Sequence, residues 1–484
     1  MNYEEVDIRQ SKLVLISLFL GLVGIILSIC IDNWALLIGI TILPLVIISA
    51  IYSIKYPVVL FFLIFTVNYY ILGITRYIDI NGVSFLMDCL MIVLLILICI
   101  HSRLLKNIDW KHIWNPLTIG MFIWMLYTLA QIINPSAQPE AWLLSRNLIF
   151  NGFIISLITT LLCTNYKTVK ILIFLLSIFT LTAVLKALMQ KFHGFDSAEL
   201  RWLNNGGAIT HLINTGPRYF SFFTDAGNLG SNMGGAGILF GIIAVQTKNI
   251  RTKLYYGIVS IASIYAMFLS GTRGAIIVPL AGLLLYTIIC KNVKALITGG
   301  SLLIFFYVFF AFTTIGQGNT QIRRMRSAFN PSADASFNVR KENQAKLATY
   351  LKNKPFGEGL GLSGVENQKL SLRFTTSIPH DSWYVKLWVE TGIIGAVLYL
   401  GIIFISIGAG AWILMFKVTD PELKARLSGF ICCIFGLILS AYGNAFWGQY
   451  PTNIIAFTGL SLVLNGKYIN EKILTESIKN KEAI

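Results

Sequence analysis

Apolar residues run along this chain in long blocks separated by short polar breaks. A helix needs roughly 20 predominantly apolar residues to cross a bilayer, and about 14 blocks meet that demand. They fall at residues 13–31, 34–53, 57–75, 82–101, 114–133, 148–164, 169–190, 226–246, 254–271, 273–290, 295–315, 384–416, 427–446 and 452–466. The block 384–416 is too long for one untilted span, so its start is expected to lie on the membrane surface or to re-enter. Two polar segments, 191–225 and 316–382, break the series. Within the second, Asn338–Leu351 is rich in helix formers, and the Pro355-Phe356-Gly357-Glu358-Gly359-Leu360-Gly361 run then ends the helix and turns tightly. The pattern predicts an all-α polytopic integral membrane protein with about 12–14 transmembrane helices and a large extracytoplasmic loop. Its expected regions are N-terminal transmembrane helices at 1–190, core helices with an outer loop at 191–315, the large outer loop at 316–382, C-terminal transmembrane helices at 383–466, and a basic tail at 467–484.

Composition agrees with the pattern. Hydrophobic residues make up 56% of the 484 and charged residues 12%, against roughly 45–50% and 25% in soluble domains. A water-soluble domain, a disordered chain and a small disulfide scaffold are excluded. Lys and Arg outnumber Asp and Glu by 38 to 22, a formal charge of +16. Nucleic acid is not the expected partner, because these charges are scattered between apolar runs rather than gathered on one face; the lipid bilayer is. With the N-terminus inside, the Arg103/Lys106/Lys111, Lys248/Arg251/Lys253 and Lys417/Lys424/Arg426 clusters and the Lys467–Lys481 tail all fall on the cytoplasmic side. Arg76 and Arg146 are the exceptions in short outer loops. Both termini are then expected in the cytoplasm and both long polar segments outside. The first apolar block reads as a retained helix rather than a removed signal peptide. All seven cysteines lie in apolar runs, and no zinc spacing, P-loop or dinucleotide fingerprint is present, so no metal and no cofactor are expected.

Three outward clusters carry candidate chemistry. Arg218 sits in Thr215-Gly-Pro-Arg-Tyr-Phe-Ser-Phe-Phe-Thr-Asp-Ala-Gly-Asn228-Leu-Gly230, just ahead of a span rich in small residues. Arg273 sits in Ser270-Gly-Thr-Arg-Gly-Ala275, between two apolar blocks. His380 closes the large loop in Pro379-His-Asp-Ser-Trp-Tyr384-Val-Lys-Leu-Trp-Val-Glu390-Thr-Gly392, where Asp381 or Ser382 is placed to cap the helix that follows. Each has a plain reading: an interfacial anchor for Arg218, a headgroup-exposed hairpin for Arg273, a surface residue for His380. Each also has a chemical one. An arginine fork pairs bidentately with phosphate, and an imidazole can act as a general base near neutral pH. Asp88 and Lys186 are the ionisable residues within spans that a transporter would use.

These clusters, in this order, resemble the signatures of the O-antigen ligase and O-antigen polymerase (Wzy-type) superfamily. HDSWYVKLWVETGIIG is similar to that family's His-Asn-x-Tyr…Glu-x-Gly-x-x-Gly segment, SGTRGA to its Ser-Gly-Ser-Arg-Gly, RYFSFFTDAGNLG to its Arg-x-x-Gly-x-Phe-x-x-Pro-Asn segment, and Arg340 with KPFGEGLG to its Arg…Pro-x-x-Gly-x-Gly. Asp381 stands where the family often has Asn, and Ser221 where it has Gly. The resemblance implies a GT-C-like membrane glycosyltransferase of the bacterial inner membrane, metal-independent and inverting, that moves a glycan from undecaprenyl diphosphate to an acceptor hydroxyl on a glycan or lipid. It implies His380 as the catalytic base, and Arg218, Arg273 and Arg340 as ligands of the diphosphate. Tyr384, Glu390 and Asn228 would support them. These three arginines and His380 are expected around one outer cavity. A polymerase of lipid-linked repeats and a polysaccharide transporter are the competing readings.

Overall fold

The computed structural model describes residues 52–78, 82–105, 108–213, 216–291, 293–327, 329 and 335–482. The expected spans 13–31 and, but for its last two residues, 34–53 lie outside the described residues. The chain divides into two compact units, one of residues 1–61 and 96–107 and one of residues 62–95 and 108–484. In the smaller, His101 Nδ1 lies 2.7 Å from the Ile54 carbonyl oxygen. The larger carries the candidate site.

The helices, in chain order, are α1 (Pro57–Ile74), α2 (Val83–Leu105), α3 (Pro116–Ala130), α4 (Gly152–Leu162), α5 (Tyr166–Phe192), α6 (Ala226–Gln246), α7 (Ile250–Leu269), α8 (Ile277–Ile289), α9 (Val293–Phe312), α10 (Thr320–Ser327), α11 (Ala335–Leu351), α12 (Trp383–Phe416), α13 (Pro421–Ser440), α14 (Thr452–Leu464) and α15 (Gly466–Glu482). Among the described residues eight helices are long and apolar enough to cross a membrane, and four shorter apolar helices join them. The β pairing among them is a two-residue ladder, Leu212–Ile213 with Gly216–Pro217. The chain is an all-α polytopic membrane protein.

Local chemistry explains where helices begin. Asn115 caps α3 through the Thr118 N–H with Pro116 in the first turn, and Asp420 caps α13 through the Leu423 N–H with Pro421 in the first turn. That second cap corrects one expected boundary. The span read at 427–446 runs instead from Pro421 to Ser440, and residues 441–451 leave the helix to line the site.

Small residues set the packing at the centre. Helix α6 is buried along most of its length and packs against both α7 and α13. A Cβ on Gly230 would lie 2.3 Å from Ser270 Oγ, and one on Gly235 2.7 Å from Cys433 Sγ. Glycine at these positions lets the backbones approach as membrane helices require.

The long block at the start of the C-terminal region is interrupted as expected. Helix α12 breaks at Gly392, whose φ of +69° and ψ of −178° are not helical. The Pro355–Gly361 turn fills the break: the Glu358 N–H donates to Val389 O at 2.8 Å and the Gly359 N–H to Glu390 O at 3.1 Å. The loop thus satisfies carbonyls that the break frees. A Cβ on Gly392 would meet Pro355 O at 1.9 Å, so glycine alone fits. Helix α11 then packs on the first piece of α12 through Leu347, Leu351, Ile378, Val385 and Val389. This fixes Arg340, on α11, against the chain entering α12.

Candidate functional site

The loops between spans build a basic cavity of about 1140 Å³. Arg218, Arg273, Arg323, Arg324, Arg340 and Lys341 line it, and among the described residues no Asp or Glu does. Its lining is also partly apolar, with Ile276, Ile277, Leu280, Leu439 and Phe329. The cavity therefore offers concentrated positive charge beside a surface suited to hydrocarbon.

Arg218, Arg324 and Arg273 are held by neighbouring oxygens. Arg218 donates through Nε to Ser270 O at 3.3 Å, through Nη1 to Thr210 O at 3.1 Å and through Nη2 to Thr272 Oγ1 at 2.8 Å. Arg324 donates to Gly216 O at 2.8 Å, and Arg273 to Ser327 Oγ at 3.3 Å. Helix α10, which brings Arg323 and Arg324, is seated by Met325 against Ile276 and Phe310. Burial pulls the Arg218 guanidinium below its ordinary pKa; Asp225 opposes that, and Arg324, Arg273 and Arg340 add to it. The same crowding lowers Arg324. Mutual repulsion among fixed cations is relieved when an anion enters, so the cavity is set up to bind one.

His380 lines two neighbouring cavities rather than the basic one. The first, about 260 Å³, is shared with Arg340, Asp225, Glu366, Asn444 and Gln449; Arg340 and Asn444 also line the basic cavity. The second, about 250 Å³, reaches into the helix bundle past Trp383 and Glu390. Arg340 and Asn444 are thus shared between the basic cavity and one at His380, and Arg340 Nε donates to Asp381 Oδ2 at 3.2 Å.

The His380 ring is nearly enclosed. Its Nε2 lies 3.2 Å from Glu366 Oε1, an exposed carboxylate, while Nδ1 is buried with no hydrogen-bond partner. Gly364 makes this placement possible: its φ is +81°, and a Cβ there would sit 2.0 Å from Nδ1. The Gly364 N–H donates to Thr375 O at 3.2 Å, which pins the turn against the loop. Burial lowers the His380 pKa to about 4, helped by Lys386 and opposed by Glu390 and Asp381. The imidazole is therefore neutral at physiological pH, the form a proton acceptor needs.

The remaining expected site residues lie behind these surfaces. Glu390, fully buried, accepts from Ser363 Oγ at 2.6 Å and has Lys386 Nζ at 3.7 Å. Tyr384 donates to Ile438 O, tying α12 to α13. Asn228 Nδ2 donates to Tyr450 O at 3.1 Å and its Oδ1 accepts from Thr452 Oγ1 at 2.8 Å, stapling α6 to the loop before α14. Ser382 takes the cap position of α12 without a side-chain cap bond.

Several contributors were not singled out from sequence. Arg323 and Arg324 were legible only as part of the basic Arg323-Arg324-Met325-Arg326 run. Arg76, an outlier of the charge pattern, donates to Ser221 O at 2.9 Å, to Thr224 O at 3.1 Å and to Phe223 O, and packs on the Trp202 and Phe220 rings. It holds the turn that follows Arg218. Ser221, in the turn where the resembled family has Gly, adopts φ +50°. A serine tolerates that conformation here because Ser221 Oγ donates to Ala183 O at 2.8 Å and its N–H to Gln190 Oε1 at 3.0 Å.

A multi-pass helical membrane protein with a cationic cavity beside a buried neutral histidine is the class that fold and site define. Residues 258–400 match the family described as O-Antigen ligase, whose members are glycan-transferring membrane enzymes. The matched segment includes Arg273, Arg324, Arg340, His380 and Glu390; Arg218 and Asp225 precede it. A comparison with curated proteins finds no match.

Proposed function

We propose that this protein is an O-antigen ligase-like glycosyltransferase of the bacterial inner membrane. It transfers a glycan from undecaprenyl diphosphate to an acceptor hydroxyl, on lipid A-core or a similar lipid, at the outer face. One observation carries the reading: among the described residues six cations and no acid line a cavity that also has apolar lining, and Arg340 lines both that cavity and the one at His380. A polyprenyl diphosphate has the matching halves, two phosphates and a hydrocarbon chain.

In this reading Arg218, Arg273 and Arg324 hold the diphosphate, and Arg340 closes its edge. His380 takes the proton of the acceptor hydroxyl, whose oxygen attacks the anomeric carbon from the face opposite the diphosphate. The bond from that carbon to the diphosphate oxygen breaks, and the oxygen keeps the electron pair. The arginines stabilise the charge that develops on it, commonly the largest catalytic contribution. Inversion follows from a single displacement. The arginine forks supply the positive charge without requiring a metal.

The expectation for a transporter rested on Asp88 and Lys186. Asp88 faces Arg146 in an ion pair, and Lys186 lies 2.8 Å from Asp196 and 2.9 Å from Glu199. These pairs tie neighbouring segments together, as structural ions do. A deletion strain complemented with wild type, His380→Ala or Arg273→Ala, at matched protein levels, tests the proposal. Long glycans stranded on the undecaprenyl carrier are expected in both variants. Single repeats on the core would indicate a polymerase instead, and an unchanged glycan ladder would remove the enzyme reading.

A further inference from the structure

The 250 Å³ cavity on the inner side of His380 differs from the basic cavity in charge, size and lining. Besides His380 its acidic and basic side chains are Glu366, Lys386 and Glu390, one base against two acids. Four of the side chains around it are nine-tenths or more buried and carry a polar atom with no hydrogen-bond partner: His380 Nδ1, Trp383 Nε1, Glu390 Oε2 and Asn453 Oδ1. One of these is a donor, two are acceptors, and the imidazole nitrogen serves as either. Buried polar atoms are normally paired, so four around one cavity mark a place where a polar guest completes the pairing.

The lining also narrows what that guest is. The Trp383 indole forms part of the wall, fixed by Gly448, where a Cβ would lie 2.6 Å from the ring. An aromatic face beside interspersed donors and acceptors suits a pyranose, which presents C–H groups on its faces and hydroxyls at its edge. The excess of acids over cations disfavours a carboxylate- or phosphate-bearing sugar. Because His380 lines this cavity as well as the one shared with Arg340, a sugar held here has a hydroxyl within the reach of the histidine, in a cavity that shares no lining residue with the basic one.

We infer that this cavity is a binding subsite for one neutral hexopyranose, the terminal sugar of the acceptor. The inference rests on the reading given under Proposed function. In that arrangement anionic groups are sorted to the arginine cavity and the neutral sugar to this one, so the enzyme discriminates against acceptors that end in a uronic acid.

Saturation-transfer NMR on the purified full-length protein in nanodiscs tests this, with methyl glucopyranoside, methyl N-acetylglucosaminide and methyl glucuronide as probes. Wild type is expected to give signal from at least one neutral glycoside, with the glucuronide weaker by roughly fivefold or more. Asn453→Leu, which removes the polar amide from the lining at nearly the same shape, is expected to abolish the signal. Asn453→Ala, milder in its effect on folding, is expected to weaken it, with thermal melting followed for both. Equal signal in wild type and Asn453→Leu, preference for the glucuronide, or no signal from any neutral glycoside would overturn the subsite. Binding of undecaprenyl diphosphate, followed in parallel, is expected to survive Asn453→Leu and to fall in Arg273→Ala. Its absence from wild type would overturn the donor reading while leaving the glycoside result to stand by itself.

Discussion

Arg340 Nε donates to Asp381 Oδ2 at 3.2 Å, so a cation of the basic cavity is joined to the neighbour of His380 in the chain. Helix α11 and the entry to α12 are far apart in sequence, and this pair, with the Leu347/Val385 packing beneath it, sets their distance. Both side chains are more than a third exposed, so the pair contributes little to stability, about 0–1 kcal/mol. Its consequence is expected in rate. Asp381→Ala should leave the melting temperature within a few degrees and lower kcat/KM by about tenfold or more, because misplacement near the reacting groups is costly. Steady-state transfer kinetics with thermal melting check both halves.

The pH profile follows from the burial of His380. Its folded pKa is lowered to about 4 from 6.5. The folded protein therefore resists a proton that the unfolded chain accepts. The stability associated with this group is complete above pH 6.5 and declines as pH falls from there towards 4. The neutral base persists over the same interval, so kcat/KM should stay level down to about pH 5 and fall only through the lower value. Transfer rates between those limits decide it; an acidic limb centred on 6.5 would contradict the enclosed imidazole.

The Arg218 fork is committed on every nitrogen. Arg218 uses Nε, Nη1 and Nη2 on three separate acceptors. Lysine keeps the charge but cannot reproduce the fork. Arg273→Lys and Arg218→Lys are each expected to cost about 10–100-fold in kcat, and Arg218→Lys to lose on the order of 1–2 kcal/mol of folding stability as well. Glycan transfer from the lipid-linked donor and denaturation of the purified variants separate the two effects.

Gly364 carries no functional group, yet its replacement should be among the most damaging outside the charged residues. Alanine would place a Cβ 2.0 Å from His380 Nδ1 at a φ of +81°. Either the turn or the imidazole must move. Gly364→Ala is expected to lose about 100-fold in kcat while inserting and expressing normally, since a shift on the order of 1 Å at a reacting group suffices. Membrane abundance and transfer rate, measured together, test it.

The architecture was largely legible along the chain because a bilayer imposes length and hydrophobicity on each span separately. The apolar blocks from 57–75 to 452–466 each correspond to a helix of the structure, and the excess length of 384–416 appears as the break at Gly392. Motif residues were legible for a related reason. A histidine or arginine at a loop–span boundary stands out against apolar surroundings, and Arg218, Arg273, Arg340 and His380 were named from that contrast. The boundary at Ser440 was missed because residues 441–451 are apolar enough to prolong the hydropathy signal, although they serve the site as irregular chain.

What no reading of the chain decided is the division of labour between cavities. Three of the four named charged residues share the basic cavity, while His380 lines a neighbouring one that shares Arg340 and Asn444 with it. Arg323 and Arg324 joined the cluster only when α10 docked on Ile276 and Phe310. The exposed-looking His380 became a buried, neutral one only when Gly364 closed over it. Hydropathy and motif are properties of residues taken a few at a time. Burial, mutual repulsion and the sorting of charge between adjoining cavities depend on which distant segments meet, and that is decided by packing.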